Sequence, residues 1–151
     1  MRVGSLSILL LWSVVGTAAC GRIHTLEEGR YTFSAEEVLS DECAIATAPA
    51  LFEANYRVAG DRAEFETDLF AIRLAGYFLV NTERFAVDGT AAGVETSLGG
   101  QPCLLDLVSV HVEASTRSSA AFTGAMDFRF QTPDIERCQC RSNVLFRATL
   151  Q

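Results

Sequence analysis

After residue 29, apolar and polar residues alternate along most of the chain with a period of two. Tyr31, Phe33 and Ala35 lie on one side, and Arg30, Thr32 and Ser34 on the other. Phe52, Ala54, Tyr56 and Val58 repeat this against Glu53, Asn55 and Arg57. Phe70, Ile72, Leu74, Gly76, Phe78 and Val80 share a face, and Val94, Thr96 and Leu98 make a weaker run. Val108, Val110 and Val112 follow, then Phe122, Gly124, Met126, Phe128 and Phe130, and finally Val144, Phe146, Ala148 and Leu150. A strand points successive side chains to opposite faces, so this period predicts strands with one buried face. Gly60-Asp61, Asp88-Gly89, Gly99-Gly100 and residues 116–119 read as turns. The apolar phase flips between Phe65 and Phe70, which predicts a turn or bulge near Thr67-Asp68.

Many short strands joined by tight turns predict an all-β antiparallel meander. The expectation is an eight-stranded closed or nearly closed barrel over residues 29–151, with a β-sandwich or nine strands as alternatives. The cysteines favour eight. In an eight-stranded meander, Cys43 follows the first strand, Cys103 opens the sixth, Cys138 follows the seventh and Cys140 precedes the eighth. All four then share one rim, within the roughly 7 Å Cα separation that a disulfide spans. The first and eighth strands are neighbours in a closed meander, and the sixth and seventh form a hairpin. This predicts Cys43–Cys140 and Cys103–Cys138.

A fifth cysteine, Cys20, breaks the even count, and the segment before it explains why. Arg2 precedes a short apolar run from Leu6 to Val15, followed by Gly16-Thr17-Ala18-Ala19. A positive start, an apolar core and small residues make a secretory signal over residues 1–19. The core is shorter than the roughly 20 apolar residues of a spanning helix. Thr17-Ala18-Ala19-Cys20 resembles the bacterial lipobox, with Thr17 where Leu, Val or Ile is usual. The resemblance implies diacylglycerol on the Cys20 thiol and a new N-terminus there, followed by a tether over residues 20–28. Gly21 is not the Asp that retains enteric lipoproteins in the inner membrane, so it resembles an outer-membrane address. All 12 basic residues are Arg, which suits a GC-rich bacterial source.

Charge narrows the partners. The formal charge is −7 and becomes −8 when Arg2 leaves with the signal. An acidic chain without a basic cluster argues against binding nucleic acid or anionic lipid through charge. Cys138-Gln139-Cys140 lacks the matching pair a zinc site wants, so the expectation is structural disulfides and no metal. Arg62, Glu64, Glu66 and Asp68 lie on one strand face. Such carboxylates can hold calcium, but Arg57 or Arg73 on adjacent strands would make them an ordinary outer face. His111 shares its face with Ser109 and Glu113, and no Gly-x-Ser-x-Gly, His-Glu-x-x-His or phosphate-cradling loop occurs. The expected domain is non-enzymatic and needs no cofactor.

Gly29-Arg30-Tyr31 resembles the Gly-x-Trp that opens lipocalins, with Tyr for Trp, and Arg147 lies in the last strand. By alternation Tyr31 points inward and Arg147 outward, so the likeness reaches architecture alone. Two functions are open. The barrel could carry or sense a small apolar ligand lined by Phe33, Tyr56, Phe78, Phe122, Met126 and Phe128. Alternatively it could be filled, and bind an envelope protein through its outside. The inward aromatics lean toward the second.

Overall fold

The computed structural model describes residues 26–47, 50–79 and 83–151. Cys20, the signal segment and Val80 lie outside them. Eight strands follow in order: β1 (Gly29–Asp41), β2 (Ala50–Ala59), β3 (Arg62–Thr67), β4 (Arg73–Phe78), β5 (Arg84–Leu98), β6 (Gln101–Ser118), β7 (Ala121–Gln131) and β8 (Arg141–Leu150). A 3-10 turn (Leu69–Ala71) joins β3 to β4, and a one-turn helix α1 (Ile135–Cys138) joins β7 to β8. Each strand pairs with its sequence neighbour, and β8 returns to β1, closing the barrel. The closing seam runs antiparallel from Tyr31↔Leu150 to Asp41↔Ser142, with irregularities after Ala35 and Val38. The meander is eight-stranded, as the cysteine positions predict.

Alternation sorts the side chains as expected. Tyr31, Phe33, Phe65, Phe85, Phe122 and Phe146 point inward and are almost wholly buried. Fully burying an aromatic or large aliphatic side chain is worth roughly 1.5–3 kcal/mol, so this interior is the main source of stability. The outer wall carries ion pairs such as Arg57–Glu66 and Arg73–Glu64. That polarity is the reverse of a lipid-facing barrel, which shows apolar residues outward. No helix among the described residues is long and apolar enough to cross a membrane.

Glycine lets the small barrel curve. A Cβ on Gly76 would lie 1.9 Å from the Ala86 carbonyl oxygen, and one on Gly124 would lie 2.1 Å from that of Glu113. The neighbouring backbone occupies the side-chain position, as at a tight barrel bend.

Two sequence expectations need correction. Asp88-Gly89 is no turn; both residues lie inside β5, where Gly89 pairs with Val110. A Cβ there would sit 2.6 Å from the Arg73 carbonyl oxygen and from Ile72 Cγ2. Gly89 therefore serves close packing against the start of β4. Phe70 does not extend the β4 face. It lies in the 3-10 turn at φ 54°, with its ring against Phe130.

The two ends of the barrel differ. At one rim, the N-terminal rim, β1 begins, the β2–β3 and β6–β7 turns lie, β4 passes to β5, and β8 ends. At the other, β1 ends, β5 turns into β6, and β7 passes through α1 to β8. Here the wall is uneven. β2 leaves β1 at Ser34, while β1 follows β8 on to Asp41. β4 pairs with β5 only as far as Asp88, while β5 and β6 stay paired to Leu98↔Gln101.

Candidate functional site

The six residues predicted to line the barrel fall into three places. Phe33, Tyr56 and Phe122 join one central cluster of rings. Phe122 is its hub, with ring centroids 5.3 Å from Tyr31, 5.4 Å from Phe33, 5.7 Å from Phe65, 5.3 Å from Phe85 and 5.9 Å from Phe146. Met126 is buried on the same face of β7. Phe128 sits higher, stacked on Phe130. Phe78 lies at the N-terminal rim, edge-on to Phe85 and only partly buried. Centroid separations of 4.5–7 Å are those of rings in contact, so the cluster fills the space it encloses.

Tyr31, Phe52, Phe65, Phe85 and Phe146 complete this cluster and lie outside the predicted lining set. Tyr31 and Phe146 share the inward phase of Phe33 and Ala148, so the signal was present. Phe65 was hidden by the phase flip that follows it, and Phe85 by the misplaced turn in β5.

Two phenols bring polar atoms inside. Tyr31 Oη donates toward the carbonyl oxygens of Glu27 at 2.8 Å and Ser119 at 3.2 Å. Burial, with the nearby Glu27 carboxylate, pushes its pKa up to about 12. Tyr56 Oη is buried and has no hydrogen-bond partner among the described residues. Burial raises its pKa too, followed by the influence of Tyr31 and Glu28.

The N-terminal rim is closed by the segment before β1. Leu26 is 6% exposed and belongs to the core. Glu27 N–H donates to the Ser119 carbonyl, and its carboxylate accepts from Ser119 Oγ. Glu28 accepts from the Val58 N–H. Residues 26–28, assigned from sequence to the tether, are therefore docked on the barrel.

The opposite rim holds both disulfides in the predicted pairing. Cys43–Cys140 has its Cα atoms 5.3 Å apart and Cys103–Cys138 has them 5.7 Å apart. The first ties the end of β1 to the start of β8. The second ties the β5–β6 hairpin to α1. Asp41 adds a cap, its carboxylate accepting from the Ile45 and Ala46 N–H groups.

The polar candidates lie outside on the wall. Asp88, His111, Asp127 and Asn143 form one row across β5 to β8. His111 Nδ1 is 2.6 Å from Asp88 Oδ1, and Nε2 is 3.5 Å from Glu113 Oε1. The hydrogen bond to Asp88 chiefly raises the imidazole pKa. Burial pushes the Asp127 carboxyl up, but hydrogen bonds from Arg141 and Arg129 more than offset this and leave it below the usual range. Ser109 and Thr90 share the shallow hollow here, but both ring nitrogens of His111 already face carboxylates. The row is an ion-paired wall, with no ring nitrogen aimed at a hydroxyl. Glu64 is likewise engaged: Arg73, above all, and Arg57 hold it below the ordinary carboxylate pKa. Arg147 points outward, as alternation predicts, and pairs with Glu36.

The chain matches no family model, no curated protein and no solved structure.

Proposed function

We propose that this chain is a lipid-anchored protein of the bacterial cell envelope, expected at the outer membrane, whose filled barrel acts through its outside surface on a protein partner. The observation that carries the interaction reading is the Phe122 ring cluster. Eight inward aromatics pack against one another inside the barrel, where a carrier needs room for its ligand. The anchor reading rests on the lipobox-like Thr17-Ala18-Ala19-Cys20. It also fits the cysteine count, since the other four cysteines are taken up in two bonds.

Two measurements test these readings separately. Intact mass of the envelope-isolated protein should show acyl groups, and Cys20→Ser should release the protein from membranes after a salt wash. Native mass spectrometry should show the barrel without a small apolar passenger, bound instead to a protein. A stoichiometric apolar molecule shed on activation would overturn the interaction reading in favour of the carrier.

A further inference from the structure

We propose that the N-terminal rim is a membrane-contacting surface, with Tyr77 and Leu79 resting on the phospholipid headgroup region. This rests on the anchor reading above and adds an orientation to it.

Six residue steps separate Cys20 from Leu26, and a fully extended chain covers at most about 20–22 Å in that distance. Leu26 is buried and Glu27 is bonded to Ser119, so the barrel end of that span is fixed at this rim. An acyl group on Cys20 therefore holds this rim, and not the disulfide rim, nearest the bilayer.

The rim is continuous around its circumference. Ser119 bonds Glu27, Thr116 N–H donates to the Glu83 carbonyl, Leu79 N–H to that of Arg84, and Phe78 N–H to that of Asp61. Tyr77 and Leu79, at the end of β4, thus lie on the end where the chain enters. They are 56% and 44% exposed. The Arg62 guanidinium sits 5.7 Å from the Tyr77 ring centroid. An amphipathic ring beside a cation suits the interface, where its body meets acyl chains and its hydroxyl meets headgroups.

Charge favours the same orientation. Arg62, Arg84 and Arg117 are exposed at this rim. Of its acidic residues, Glu27 and Glu28 are turned to Ser119 and Val58, while Asp61 and Glu83 remain alongside. The opposite rim carries Glu42, Glu95, Asp106, Asp134 and Glu136 against Arg137 and Arg141; those two arginines are engaged by Asp134 and Asp127, and the remaining acidic excess is repelled by an anionic lipid surface. Two apolar side chains would bind a bilayer weakly by themselves. An acyl anchor supplies the local concentration that lets them set an orientation.

The single Trp of the chain, Trp12, lies in the segment read as cleaved, so a new Trp is a clean reporter. Tyr77→Trp and Leu104→Trp proteins, isolated from the envelope, are reconstituted in phosphatidylethanolamine–phosphatidylglycerol vesicles with or without brominated acyl chains. Tyr77→Trp should lose most of its emission on brominated vesicles, while Leu104→Trp, at the opposite rim, should lose none. Equal quenching of both, quenching of Leu104→Trp alone, or no quenching of either in vesicle-bound protein overturns the orientation. If intact mass shows no acyl group, the anchor reading fails by itself. The same vesicles then decide the rim, because quenching of unacylated Tyr77→Trp keeps the surface and its absence removes it.

Discussion

The two rims of this barrel are closed by different physics. At the N-terminal rim the strands finish together, and Leu26, the Tyr31 hydroxyl and backbone hydrogen bonds suffice. At the opposite rim the wall is uneven. Beyond Ser34, β1 has only β8 beside it, and beyond Asp88 the β5 ladder to β4 has ended. A two-stranded ribbon is marginal in water without further support. Each disulfide is placed at one of these overhangs: Cys43–Cys140 on the β1–β8 ribbon and Cys103–Cys138 on the β5–β6 hairpin. Covalent bonds appear where the ladder runs out.

The largest effect should come from cutting those bonds. Cys43→Ala with Cys140→Ala opens a loop of sequence separation 97, worth about 4–5 kcal/mol in the chain-entropy model. Cys103→Ala with Cys138→Ala opens one of separation 35, worth about 4 kcal/mol. Urea midpoints should rank the variants in that order. Hydrogen exchange sharpens the comparison: amides near Val38 and Val144 should lose protection well before those near Tyr31 and Leu150. Uniform loss would show that the overhangs are not where the bonds act. Next comes Phe122→Ala, which removes the ring at the centre of the cluster and should cost about 3–4 kcal/mol. It lies one residue inside the start of β7, beside the N-terminal rim, so exchange should rise there first, and its thermal transition should stay cooperative.

These contrasts explain what was legible in the sequence. Alternation at Phe122, Met126 and Phe128 gave strand and facing together, because a half-buried strand leaves a period of two. The disulfide pairing followed from topology, since closure makes the first and last strands neighbours. What was missed has local causes. Gly89 looks like a turn residue, yet its missing side chain makes room for Arg73 and Ile72, a long-range contact with no local signature. Phe70 keeps the strand phase in sequence but sits at positive φ in a 3-10 turn. Residues 26–28 follow a signal-like leader and carry two carboxylates, so they read as tether. Only the position of Ser119, brought there by the β6–β7 turn, reveals their docking.

A smaller pair of substitutions compares the rims directly. Tyr31→Phe removes the hydrogen bond to the Glu27 carbonyl, and Ser142→Ala removes the one from Ser142 Oγ to the Ser40 carbonyl. Each should cost about 1 kcal/mol. Tyr31→Phe should raise exchange at the N-terminal rim, whereas Ser142→Ala should be felt at the β1–β8 overhang. In the disulfide-free background the Ser142→Ala cost should shrink, because the ribbon it steadies is already loose. Tyr31 also titrates with a defined sign. Its folded pKa of about 12 lies above the ordinary tyrosine value of 10.0. Its contribution is therefore complete below pH 10 and falls as pH rises toward 12, an alkaline loss that Tyr31→Phe should remove.

The smallest effect belongs to the wall between the rims. His111 is the only histidine among the described residues, so its imidazole resonances can be followed through a pH titration. Its pKa should lie above the ordinary 6.5, chiefly because of the hydrogen bond to Asp88. A raised folded pKa means that protonation favours the folded state. The contribution is complete below the unfolded value and disappears as pH rises through the folded one. The side chain is 45% exposed, so solvent screening holds the effect to a few tenths of a kcal/mol. Asp88→Asn should lower the His111 pKa more than Glu113→Gln does, since the Asp88 contact is 2.6 Å and the Glu113 contact 3.5 Å. Equal shifts would show that the pair at Asp88 is not the stronger. The row starts at Asp88, where β5 loses β4, and ends at Asn143, opposite Ser40 on the β1–β8 overhang, so deprotonating His111 should change exchange at the overhangs more than at the N-terminal rim. An equal change at both ends would show that the row takes no part in holding the uneven wall.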